Sequence, residues 1–215
     1  MIVSSLLPVL FFGFVLGIKH AIEPDHVIAV STIASRTSKL SLSSLSGIFW
    51  GIGHTMTLLV IGIIMIVMER QIPEKIALSL EFFVGMMVLF LGIISFRSTR
   101  TISIEREIKV AHLHLKSLLI GTIHGLAGSA GMVILTLTTV NNMLEALIFI
   151  LIFGFGTICG MMLFTTVLGL PFVWVKDINI YQLIVKVVSI ISVLYGLYYI
   201  YHIGILELFN SILSK

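Results

Sequence analysis

Residues 17 to 30 read GIKHAIEPDHVIAV, and the setting of that stretch decides the fold. Five ionisable side chains, Lys19, His20, Glu23, Asp25 and His26, stand there with Pro24 in a segment that is apolar on both sides. In one straight helix, advancing about 100° per residue, Asp25 would lie ~140° and His26 ~240° around the axis from His20. No single cavity could receive all three. Pro24 removes a backbone donor and clashes with the carbonyl four residues earlier, so the segment is predicted to kink or break at Glu23 and Pro24. A broken helix can turn its imidazoles and carboxylates toward one point and free backbone carbonyls for a cation.

Outward from this stretch the chain is apolar: of 215 residues, 58% are hydrophobic and 11% charged, against about 25% charged in an ordinary globular chain. A water-soluble core of this size cannot absorb so much apolar side chain, so the surrounding solvent must be lipid. Six segments, at 3–34, 45–68, 76–96, 117–140, 144–170 and 181–206, are long enough to cross roughly 30 Å of hydrocarbon as helices that satisfy their own backbone. The expected fold is an all-α integral membrane protein, one transmembrane domain over residues 1–215. No Lys or Arg precedes Lys19, so the first segment reads as a retained helix and not as an export signal.

Basic residues gather in the connections at 35–44 (Arg36, Lys39) and 97–116 (Arg97, Arg100, Arg106, Lys109, Lys116), while Arg70 and Lys75 stand alone in the second. The positive-inside rule then puts the first, third and fifth connections in the cytoplasm and both termini outside the cytoplasmic membrane. The chain also repeats itself weakly, as regions of about 1–100 and 105–207. An offset of 104 sets Gly17, His20 and Thr32 over Gly121, His124 and Thr136, and Leu91-Gly92 over Tyr195-Gly196. An offset of 103 sets Phe49, Gly51, Gly53 and Met56 over Ile152, Gly154, Gly156 and Cys159. Three helices per unit is an odd number, so the twin units must be inverted, the plan of many secondary transporters.

The charge balance of 13 Lys and Arg to 10 Asp and Glu lacks a dense basic stretch, which gives nucleic-acid binding no support. A single cysteine, Cys159, excludes an intrachain disulfide, a redox pair and a thiolate zinc site. Imidazole and carboxylate inside the membrane instead suit a borderline divalent ion such as Ni(II), Co(II), Zn(II) or Cu(II). The bland alternative is ion pairing with histidines as hydrogen-bonding glue. The same two readings apply to His54 in WGIGHTMTLL and to His124 in GTIHGLAGSAG. The candidate metal residues are therefore His20, Glu23, Asp25, His26, His54 and His124. His112 and His114, in the long third connection, could pass a metal or be solvated and idle.

The spacing of His20, Asp25 and His26, with the Gly-His of WGIGHTMTLL, resembles the signatures of the nickel/cobalt transporter family. With HGLAGSAG and GTICGM, it is most similar to the short six-helix branch of urease accessory UreH-type nickel permeases. The resemblance spans roughly residues 13–170 and implies transport of Ni(II) or Co(II), with His20, Asp25, His26 and His54 at the motif positions. The fourth and fifth segments lack the acidic residue of longer permeases. The ion would be cargo, with no resident cofactor; lipid is the other partner, and a homo-oligomer is compatible. Uptake is the leading expectation and efflux of the same ions the rival. An intramembrane metal-dependent hydrolase would need Glu23 as base, and no HExxH stretch exists.

Overall fold

The computed structural model describes residues 2–35, 37, 39–68, 73–98, 114–127 and 143–208. Among these no strand occurs. The helices are α1 (Ile2–His20), α2 (Pro24–Ala34), α3 (Leu40–Val67), α4 (Glu74–Ser98), α5 (114–127), α6 (Met143–Trp174) and α7 (Ile178–Tyr199), the last continuing as a π-helix over Ile200–Leu208. Helices α3, α4, α6 and α7 with its extension are each long and apolar enough to cross a membrane, and α1 with α2 passes the same test as one broken span. The chain is a multi-pass α-helical membrane protein. The fourth expected span, 117–140, coincides with α5 as far as residue 127, and its remainder lies outside the described residues.

Many large apolar side chains face outward, Phe11 70% exposed and Phe90 61%, as lipid-facing groups should be. Inward faces combine buried groups such as Trp50 and Phe149 with many small and hydroxylated residues, because lipid supplies no hydrophobic force between helices and close backbone approach must do that work. A Cβ on Gly17 would strike the Phe153 carbonyl and one on Gly156 that of Phe14; with Gly13 on the Phe149 ring and Gly160 on Ala21, contacts that climb both helices together, α1 lies along α6 in the same direction. Likewise a Cβ on Gly121 would strike the Trp50 carbonyl and one on Gly53 that of Leu118; because Gly125 in turn lies on the His54 carbonyl, one turn further along both helices, α5 runs parallel to α3. Gly92 abuts Val193 and Gly196 abuts Leu89, which makes α4 and α7 antiparallel. Gly51 meets Ile158 and Gly154 meets Thr55, setting α3 antiparallel to α6 at the centre.

Hydroxyls fasten these contacts. Thr57 donates to the Thr122 carbonyl at 3.1 Å, and Ser192 to that of Val88 at 3.1 Å. Tyr181 of α7 donates to the Ser35 carbonyl at 2.6 Å and anchors the end of α2.

Two boundaries differ from expectation. The connection expected at 171–180 shrinks to three residues, because α6 continues through Pro171 to Trp174. Asp177 then caps α7, accepting from the Asn179 and Ile180 amides at 2.7 and 3.3 Å, which satisfies donors that a helix start leaves free. His114 lies in α5, at its first described residue, instead of in a solvated loop, and its ring stacks on Phe49 with centroids 4.8 Å apart. His112 lies outside the described residues.

Candidate metal centre

The break in the first span creates the centre. α1 ends on His20, and the turn is closed by the amides of Ile22 and Glu23 on the carbonyls of Lys19 and His20, both at 3.1 Å. Glu23 is extended at φ −61°, ψ 146°, the conformation that a following proline favours. Pro24 then occupies the first position of α2, where its missing N–H costs nothing. The axes of the two pieces diverge by 58°. The last residue of one helix and the first turn of the next thereby converge.

His54 of α3 and His124 of α5 close the centre from the sides, brought inward by the glycine contacts. Gly125 sits against the His54 carbonyl, and Gly53 and Gly121 hold α3 to α5 one turn away. His20 Nε2 faces His54 Nε2 at 3.1 Å. Asp25 spans the remaining two rings, with Oδ1 3.2 Å from His26 Nδ1 and Oδ2 2.7 Å from His124 Nε2. His26, His54 and His124 are at most 1% exposed.

Buried polar atoms without partners are rare and cost about 1–3 kcal/mol each. Here His26 Nε2, His54 Nδ1 and His124 Nδ1 are all buried without a hydrogen bond among the described residues. The donors fall into two groups, His20–His26–His54 and Asp25–His26–His124, within each of which one ligand atom per residue lies within 4.8 Å of the others. Such nitrogen and oxygen sets suit a borderline divalent ion. An ion bonded at about 2.0–2.1 Å to both His20 and His54 Nε2 atoms would see them about a right angle apart.

Five of the residues singled out in the sequence, His20, Asp25, His26, His54 and His124, are thus in one place. Glu23 is near but outside both groups: its half-exposed carboxylate bonds His20 Nδ1 at 2.9 Å, on the ring edge away from His54. Cys159 is partly buried and belongs to neither group. Trp50, whose ring centroid is 5.7 Å from that of His124, escaped the sequence reading. Its only signal was its place one turn before His54.

Fold and site define a class: a polytopic helical membrane protein with a histidine–carboxylate cluster where a span breaks. Over 181 residues the sequence is 50% identical to urease accessory protein UreH of Bacillus sp. (strain TB-90), covering 78% of this chain and 79% of that one. The chain belongs to the UreH family, the branch of the nickel/cobalt transporters that its motifs resemble. It is also 22% identical over 177 and 171 residues to the Arabidopsis thaliana chloroplast proteins FOR GROWTH AND FERTILITY 1 and 2, covering 73% of this chain but 48% and 46% of theirs. No family model and no solved structure matches the chain.

Proposed function

We propose that this protein is a secondary transporter that carries Ni(II), with Co(II) as a second substrate, inward across the cytoplasmic membrane. The observation that carries the reading is the convergence of three buried imidazoles, His26, His54 and His124, with the part-buried His20 and Asp25 around the break at Glu23 and Pro24, where a membrane protein has no structural need for them. Kinship with a urease accessory protein supports nickel as the cargo, because urease is a nickel enzyme. His20, Asp25, His26, His54 and His124 replace water ligands that the ion sheds on entering. Glu23 acts through His20: a carboxylate on Nδ1 fixes the tautomer that leaves Nε2 free for metal.

The architecture of this reading is one domain of six spans in two inverted halves, 1–100 and 105–207, with both termini outside. The glycine contacts support it, because they come in pairs related by the sequence repeat. Gly17 on Phe153 answers Gly121 on Trp50; Gly53 on Leu118 answers Gly156 on Phe14; Gly92 on Val193 answers Gly196 on Leu89. The parallel course of α3 and α5 is what six alternating crossings require. Alternate access then comes from movement of one half against the other around a fixed centre.

Radiolabelled nickel uptake by cells expressing the protein tests the reading. Accumulation that disappears in His26→Ala and Asp25→Ala supports it. Uptake untouched by both substitutions overturns the site, and tolerance to high nickel without accumulation turns the direction to efflux.

A further inference from the structure

The five inward donors do not form a single ring. His26 alone belongs to both three-donor groups. The members on the two flanks stand farther apart: the rings of His54 and His124 are 6.3 Å between centroids, against 5.2 Å for His26 to His54 and 4.1 Å for His26 to His124. The groups also differ in charge. His20, His26 and His54 are three imidazoles, whereas Asp25 adds a carboxylate to His26 and His124. Opposite charge holds a divalent cation far better at low dielectric, so the second group binds more tightly. The first has a carboxylate only at one remove, Glu23 behind His20.

We propose that the centre is two adjacent cation sites sharing His26, an all-imidazole site and a carboxylate site, between which the transported ion steps. The proposal rests on the transporter reading and deepens it. The step is a ligand exchange and breaks no covalent bond: His20 and His54 release the ion as Asp25 and His124 take it, while His26 stays bound. Two divalent ions a few ångströms apart repel strongly, so the sites fill one at a time. Conduction needs binding firm enough to admit an ion and weak enough to let it go, and two unequal neighbouring sites meet both demands where a single five-ligand cage would trap its cargo.

The test uses the full chain in lipid nanodiscs with Ni(II), read by nickel-edge X-ray absorption, together with nickel flux into vesicles. The variants are His54→Gln and His124→Gln, with the alanine forms beside them in case one replacement alone disturbs folding. We expect each variant to bind nickel within about tenfold of the parent affinity while flux falls about a hundredfold. The His54 variants should show two imidazoles with a carboxylate, and the His124 variants three imidazoles. One ligand set common to both, loss of binding in the glutamine and alanine forms alike, or flux near that of the parent overturns the two-site arrangement. A parent protein that binds no nickel overturns it together with the transporter reading.

Discussion

The helix that ends in His20 and the helix that carries His124 are seated alike and furnished differently. Each places a glycine, Gly17 or Gly121, against a carbonyl of the helix it runs beside, Phe153 or Trp50, and each sets its histidine three residues on. Beyond that point they part. His20 is followed by Glu23, Pro24, Asp25 and His26, whereas His124 is followed by Gly125, Leu126 and Ala127. The packing is alike at the two helices, but the candidate donors are concentrated at one. Matching glycine contacts supply the close approach, and a single proline-marked break supplies most of the donors.

His26, the one residue common to both donor groups, gives the sharpest test of that division. His26→Ala should lower nickel affinity more than about a hundredfold, beyond what loss of a supporting residue costs, as read by calorimetry in detergent. An equal loss from His124→Ala would place the two helices on the same chemical footing.

The shared seating predicts matched damage. Gly17→Leu and Gly121→Leu each force a side chain into a backbone carbonyl, and each should cost about 1–3 kcal/mol in thermal unfolding of the purified protein. Clearly unequal shifts would show that the two contacts are not equivalent.

A smaller effect is expected at Glu23. Glu23→Ala should weaken nickel binding about tenfold, with Glu23→Gln recovering most of it, because an amide oxygen still accepts from His20 Nδ1. If glutamine is as poor as alanine, Glu23 is itself a metal ligand, and the first helix holds still more of the chemistry.

Acid should act on both helices. Protons compete with the metal for imidazole lone pairs, so binding is full when the rings are neutral and weakens as acid protonates them. Uptake measured from pH 5 to 8 at constant free nickel should fall on the acid side only. Smallest of all is Cys159→Ser: the thiol lies in neither donor group, and nickel uptake should be unchanged.

Much of the centre was legible because ionisable residues are conspicuous against an apolar background. Pro24 next to Glu23 announced a break, and the structure ends α1 and begins α2 on either side of it. His54 and His124 were harder to judge, since a lone membrane histidine reads equally well as glue; only the approach of α3 to α5 through Gly53, Gly121 and Gly125 brings them to Asp25 and His20. The position of Glu23 behind His20 depends on the turn at 21–23, whose geometry no spacing rule supplies. The packing of His114 rests on Phe49, a residue 65 positions away in the chain.

Composition and order alone determined that the chain lives in lipid, that its elements are helices, and that the first is broken among groups a membrane would otherwise expel. Those are local or additive properties: transfer free energy sums along a segment, and a proline acts on its own turn. Which candidate donors lie together, and that His26 stands between two sets of them, was decided only by tertiary structure. Ligand geometry is set by the approach of backbones from separate helices, to within fractions of an ångström, and nothing in a one-dimensional string measures that.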